Sequence, residues 1–238
     1  MIKTILFDMD GVLFDDKNLH FEALNTALGE EFSISMDLHL SKFDGLQTRK
    51  KLEILSKDHG LPKDLHEKVW KDKQEETIKL LSSVDKHERL ISVLSDLQKR
   101  GFVLGVCSNS VRKTVLKVLS NMGIMGFMDV VLSNDDVRNA KPHPEIYWKA
   151  MSLLGVVPEN TLIIEDSPTG LLAAHRSGAH VHRVKNPDGV TVDNLIRKVD
   201  SICSDPSVSS TSPKWDDQTL NVVIPPEDLR YFLDSKSS

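Results

Sequence analysis

The chain has 238 residues, 39% hydrophobic and 27% charged, with a formal net charge of −5. That is enough chain for one large domain, or a core with a smaller companion, around a substantial apolar interior. The mild acidity offers no basic stripe to attract nucleic acid or an anionic membrane surface, and no apolar run approaches bilayer-spanning length.

No signal peptide is read at the start, because Met1-Ile2-Lys3 leads directly into a short run interrupted by acids. Two cysteines, Cys107 and Cys203, are too few for a disulfide framework. These features predict a cytoplasmic protein without nucleic-acid or membrane partners.

The first predicted strand, Ile2 to Phe7, runs into Asp8-Met9-Asp10-Gly11-Val12. Aspartate is depleted in strands and costly to desolvate unless paired or bound to metal. In extended backbone, alternate residues share a face, so both carboxylates can enter one site where a divalent cation offsets their repulsion. A surface Asp-x-Asp-Gly turn is the competing reading.

Residues 15–83 follow, with amphipathic helical spacing throughout: Phe21, Leu24 and Leu28, then Leu52 and Leu55, then Leu65, Val69 and Trp70. Such an insertion directly after a strand end can serve as a lid that excludes water, or as a purely structural subdomain. From residue 84 the pattern alternates. Helices are predicted at Glu88 to Lys99, Arg112 to Met122, Pro144 to Leu154 and Thr169 to Ser177, each followed by glycine. Between them, Phe102 to Val106, Asp129 to Leu132, Leu162 to Ile164 and His180 to Val184 read as strands. Alternation of this kind implies βαβ units with right-handed crossovers, and ligands bind at the carboxyl ends of such sheets.

Three of these strand ends carry polar groups. Ser108-Asn109-Ser110 suits an anion beside a helix start, or simply caps that helix. Ala140-Lys141-Pro142-His143-Pro144 stiffens the chain around one lysine, which is useful beside an anion but equally compatible with a surface lysine. Glu165-Asp166-Ser167 again places acids after a buried run, as a metal site or as a cap. Beyond residue 200 the composition becomes linker-like, with a strand-like stretch at 220–224 and a short predicted helix at 225–233.

In order, spacing and context, these four motifs resemble those of the haloacid dehalogenase superfamily, and most closely its group of β-phosphoglucomutases, phosphoglycolate phosphatases and small sugar-phosphate phosphatases. The resemblance covers Ile2 to about Val184. It implies an α/β fold: a Rossmann-like three-layer core with a mostly parallel sheet, built from residues 1–14 and 84–200, plus an inserted α-helical cap at 15–83, with 201–238 as linker and tail. It implies Mg2+ held by Asp8, the Asp10 backbone carbonyl, Glu165 and Asp166. Asp8 would be the nucleophile, Asp10 the proton donor and acceptor, and Lys141 the charge-compensating cation that, with Ser108 and Asn109, holds the transferring phosphate. The cap segment Phe43-Asp44-Gly45-Leu46-Gln47-Thr48-Arg49 resembles the group's specificity segment, making Gly45, Thr48, Arg49 and, from the preceding helix, His20 candidates for substrate contact.

The implied function is Mg2+-dependent hydrolysis of a small phosphorylated metabolite, a sugar phosphate by class, by a monomer or weak homodimer. A β-phosphoglucomutase-like phosphosugar mutase shares every motif, and a non-catalytic scaffold with the same fold is the remaining alternative.

Overall fold

The computed structural model describes residues 1–15, 17–43 and 45–204. The stretches read from sequence as linker, strand and helix at 205–238 lie outside them, as does Asp44. The elements in chain order are β1 (Thr4–Phe7), α1 (Lys17–Leu28), α2 (Met36–Leu38), which continues into a π-helical turn at His39–Phe43, α3 (Thr48–His59) and α4 (His66–Leu80). They continue with α5 (Glu88–Lys99), β2 (Val103–Cys107), α6 (Arg112–Asn121), β3 (Val130–Leu132), α7 (Glu145–Leu154), β4 (Thr161–Glu165), α8 (Pro168–Ser177), β5 (His180–Arg183) and α9 (Val192–Ser204).

The five strands among the described residues are all parallel, in the order β3-β2-β1-β4-β5. Thr-Ile-Leu-Phe of β1 is buried at every position, as expected of a central strand covered on both faces. Phe7 pairs with Val106 on one side and Ile164 on the other. The residues that follow β1, β2 and β4 therefore emerge side by side, and β1 borders the point where the chain order reverses, where open α/β sheets bind ligands.

Alternation sorts the sheet's side chains into two layers. Ile5, Phe7, Leu104, Val106, Leu162 and Ile164 face Leu94 of α5, Val118 of α6 and Val199 of α9. Leu6, Leu132 and Ile163 face the other way, toward Ile146, Ala150 and Met151 of α7 and Ala173 and Ala174 of α8. A separate apolar cluster joins Leu24 and Leu28 of α1, Leu52 and Leu55 of α3 and Val69 of α4, and no strand interrupts this helical interval among the described residues.

Most strand and helix ends lie one or two residues from the sequence reading: β1 starts at Thr4 rather than Ile2, and β2 and β4 run on to Cys107 and Glu165. The sequence reading carries no helix at α9, although Val192, Leu195, Ile196, Val199 and Ile202 follow helical spacing. The helix runs through Ser204, so the linker does not start at residue 201: Ile202 is buried in the core and carries the helix past the serine-rich composition. Strand β5 stops at Arg183, one residue early, although Val184 N–H still donates to Glu165 O at 2.9 Å. No helix among the described residues is long and apolar enough to cross a membrane.

The tight seat of β2 against β1 is tested by Gly105. A methyl there would come 2.5 Å from Val130 Cγ1 and 2.9 Å from Leu6 Cδ2, so it must displace both neighbours. Gly105→Ala should lower stability by about 1–3 kcal/mol in urea denaturation; an unchanged midpoint would contradict this packing.

Candidate active site

Asp8 leaves β1 with its N–H donating to Ile164 O at 2.9 Å, which continues the ladder and delivers its side chain to the sheet's carboxyl edge. The chain then folds sharply. Met9 O accepts the N–H groups of Val12, Leu13 and Phe14, and Gly11, with φ +81°, makes that turn possible. A Cβ on Gly11 would stand 2.0 Å from Asp166 Oδ2, so the first and fourth strand ends pack too closely for any side chain there. Asp8 is buried, which rules out the surface-turn reading.

Carboxylate oxygens of Asp8, Glu165 and Asp166 lie within 4.8 Å of one another. Such a gathering requires cations. Lys141 supplies one: its Nζ donates to Asp8 Oδ1 at 2.7 Å, to Glu165 Oε1 at 2.6 Å and to Cys107 O at 2.8 Å. This lysine is buried, its preceding loop held by Asn109, whose Oδ1 accepts the Lys141 N–H at 3.1 Å. Burial opposes the ammonium charge, but Asp8 and Glu165 outweigh it and raise the Lys141 pKa. Burial and the Glu165 carboxylate push Asp8 well above the usual carboxylate range, against the pull of Lys141. One cation thus leaves negative charge in excess, and a hard, all-oxygen donor set of this kind fits Mg2+.

Asp10 stands apart from that group. Its Oδ2 accepts from Ser110 Oγ at 2.7 Å and from Ser108 Oγ at 3.4 Å, while His20 Nε2 lies 3.8 Å from its Oδ1, an electrostatic contact rather than a hydrogen bond. Burial works against its charge, yet His20, the Ser110 hydroxyl and Lys73 together lower its pKa. Burial and Lys73 hold His20 down to about 4, so the ring is neutral at pH 7, and its Nδ1 faces Lys73 Nζ at 3.3 Å. With Nδ1 accepting from the ammonium, the ring proton sits on Nε2, toward Asp10.

The four motifs meet a cleft of about 340 Å³ between the helical insertion and the sheet edge. Asp8, Asp10, His20, Gly45, Thr48, Arg49, Asn109, Lys141 and Asp166 line it; Ser108 and Glu165 do not. Ser108 is fully buried, and its hydroxyl accepts the Ser110 N–H at 2.9 Å, so it shapes the loop from behind. Neither Ser108 nor Asn109 serves as the α6 cap: Val111 occupies that position and makes no side-chain bond. The Asn109 amide is engaged as well, donating to Gly45 O at 3.1 Å and to Lys141 O at 3.4 Å, which ties the helical insertion to the lysine loop. Gln47 and Asn134 make a second side-chain bond across the same gap. Ser167 does cap α8, accepting the Gly170 N–H at 3.1 Å, so the capping reading of that motif holds for its serine, while its two acids join the carboxylate cluster with Asp8.

Arg49 lies at the rim with its charge already engaged, Nη1 standing 3.2 Å from Glu67 Oε2 and the guanidinium 4.7 Å from the Trp70 ring centre. Thr48 Oγ1 faces Gln74 Nε2 at 3.5 Å. Sequence reasoning missed Lys51, Lys73 and His39, which line the cleft together with Ser110 of the second motif. For Lys73 a signal existed: it follows Val69 by four residues and precedes Thr77 by four, a charge on the buried stripe of α4. His39, held down to about 3 by burial and the nearby lysines, is likewise neutral at pH 7. Cys107 is no nucleophile, since burial lifts its thiol to about 12.

Removing Lys141 leaves Asp8 and Glu165 uncompensated. Lys141→Met should lower stability by about 3–5 kcal/mol near pH 7. Asp8 already holds its proton more tightly than an unfolded aspartate, and losing Lys141 tightens that hold. The deficit should therefore shrink on acidification as Asp8 protonates, and urea denaturation at about pH 7.5 and about pH 5 checks the sign. A deficit that grows toward low pH would contradict the pairing.

The haloacid dehalogenase-like hydrolase family model matches residues 5–184. A phosphorylated carbohydrates phosphatase of Thermotoga maritima is 31% identical over 180 residues, covering 74% of this chain and 82% of that protein. Pyrophosphatase PpaX of Bacillus pumilus is 31% identical over 184 residues, with 74% and 80% covered. The crystal structure of a β-phosphoglucomutase from Clostridium difficile superposes with TM-score 0.76 at 20% identity over 86% of this chain and all of that one, a likeness of fold. CbbY from Rhodobacter sphaeroides, solved in complex with phosphate, gives TM-score 0.66 at 25% identity, covering 77% and 86%. With its four motifs gathered at one sheet edge and the family model spanning most of its length, the chain belongs to the haloacid dehalogenase-like hydrolases.

Proposed function

We propose that this chain is a Mg2+-dependent phosphatase that hydrolyses a small phosphorylated metabolite, a sugar phosphate by class, through a phosphoryl group carried on Asp8. The observation that carries this reading is the Asp8 carboxylate, held by Lys141 at 2.7 Å beside Glu165 and Asp166 and open to an enclosed cleft. The phosphatase names of the sequence relatives support it. On this reading residues 1–14 and 84–200 form the catalytic core and 15–83 the cap, in a reducing, cytoplasmic setting that suits the free thiols of Cys107 and Cys203.

Asp8, Asp166, Glu165 and the Asp10 backbone carbonyl would hold Mg2+. When bound, the ion offsets the charge between an anionic nucleophile and an anionic phosphate and favours the ionised form of Asp8. Asp8 attacks phosphorus, and the ester oxygen departs. Lys141 stays with Asp8 and balances charge on the transferring oxygens. Asp10 supplies the proton that the departing oxygen needs, then removes one from the water that releases phosphate. Its lowered pKa keeps it ionised in the resting site, so the proton must be gained on binding; an incoming phosphate dianion raises its proton affinity and favours that step. Ser108 and Ser110 aim the Asp10 carboxylate, and Asn109 holds the Lys141 loop and the cap together over the substrate. Gly45, Thr48, His20 and Arg49 are the cap positions from which substrate would be chosen; Arg49 must leave Glu67 to reach an anion.

A screen of phosphorylated metabolites with Mg2+ should show phosphate release from a subset of sugar phosphates. Asp8→Asn should reduce it by about 10^3-fold or more. Undiminished hydrolysis by Asp8→Asn would remove Asp8 as nucleophile, whereas isomerisation of glucose 1-phosphate without net phosphate release would make the chain a mutase.

A further inference from the structure

Tyr147 is one of only two tyrosines in the chain and has no part in the mechanism above. It projects from α7 into the layer between that helix and the sheet, with no exposure to solvent. A phenylalanine would fill the same apolar space without the cost of burying a hydroxyl, so the phenol needs a partner. That partner is Glu165: Tyr147 Oη donates to Glu165 Oε1 at 2.6 Å. The same oxygen accepts Lys141 Nζ at 2.6 Å, and that ammonium lies 4.9 Å from the centre of the Tyr147 ring.

The Glu165 carboxylate is enclosed on a further side. A Cβ on Gly170 would stand 2.0 Å from Oε1 and 2.1 Å from Oε2, so the first turn of α8 closes over both oxygens alike, and it is the hydrogen bonds that distinguish them. Oε1, with two donors at short range, has its lone-pair positions filled. Oε2 faces the Asp166 N–H at 3.2 Å and retains capacity.

From this geometry we infer that Tyr147 is a positioning residue for the cation site: together with Lys141 it occupies Oε1 of Glu165 and leaves only Oε2 to serve a divalent ion. The inference rests on reading Asp8, Glu165 and Asp166 as the Mg2+ ligand group. Hydrogen bonds to the unused oxygen of a ligating carboxylate fix its direction, and their loss weakens metal binding while the ligands themselves remain.

The test is Mn2+ binding to the full chain, followed by electron paramagnetic resonance of the free ion, for wild type and Tyr147→Phe. Phenylalanine keeps the ring beside Lys141 and removes only the donor, and the thermal midpoint reports whether the fold is kept. Tyr147→Phe should bind Mn2+ about tenfold more weakly, with a matching rise in the Mg2+ concentration needed for half-maximal phosphate release. Affinity within about twofold of wild type in a folded variant would overturn the inference.

A second measurement avoids the substitution. In chain labelled with 3-fluorotyrosine, where Tyr231 is the only other labelled site, adding Mg2+ should shift the Tyr147 fluorine resonance; no shift at saturating Mg2+ would also overturn it. Unchanged Mn2+ affinity in an active Tyr147→Phe enzyme would leave the phosphatase reading intact. Tyr147-dependent Mn2+ binding in a chain that hydrolyses no phosphate ester would support the positioning role and remove the phosphatase reading.

Discussion

The buried ammonium of Lys141 is the contact on which the site depends. Three carboxylates, Asp8, Glu165 and Asp166, converge at the carboxyl edge of the sheet, and Lys141 bonds two of them at 2.7 and 2.6 Å. Without it, the repulsion and desolvation of these acids would oppose the parallel pairing of β1 and β4 that brings them together. The fold answers that demand with several supports for one side chain. The Asn109 amide holds the Lys141 backbone, Cys107 O accepts a third ammonium bond, and the Tyr147 ring lies against the charge. Two of these supports come from the end of β2 and the third from α7, so the site's electrostatics and the order of the sheet are the same problem.

The two aspartates that open the chain's chemistry have opposite environments. Asp8 sits among carboxylates, where burial and Glu165 raise its pKa, while Asp10 sits among hydroxyls, a neutral imidazole and Lys73, where its pKa falls. Groups two residues apart are thereby set for different tasks, one able to gain from a cation and the other already stable as a carboxylate. The sharp turn at Gly11 makes this separation possible, directing the two side chains to different neighbours although extended backbone would place them on one face.

Much of this was legible in the sequence because the signals are local. An apolar run ending in acids announces a strand that terminates in a site, so Asp8 and Asp166 stood out, and all five strands and the helices α5 to α8 followed from hydrophobic period and glycine stops. What the sequence did not disclose depends on packing across the chain. Tyr147 reads as one more apolar position on α7 until its hydroxyl is seen against Glu165. Ser108 reads as an anion contact until it is found buried behind Ser110. Arg49 reads as a free cation, whereas Glu67 and Trp70, both on α4, already engage it. Helix α9 was hidden for another reason: serines in its last turn resemble a linker, and only the burial of Ile202 shows that the helix continues.

The central claim is that phosphorus passes through a covalent bond to Asp8, held by Lys141 at the end of the central strand. Acid quenching during turnover of a sugar phosphate, followed by borohydride reduction and peptide mass spectrometry, reads that bond directly. The expected result is reductive conversion of Asp8 alone, dependent on both substrate and Mg2+. Reduction at another carboxylate, or none at any residue while phosphate is being released, would contradict it.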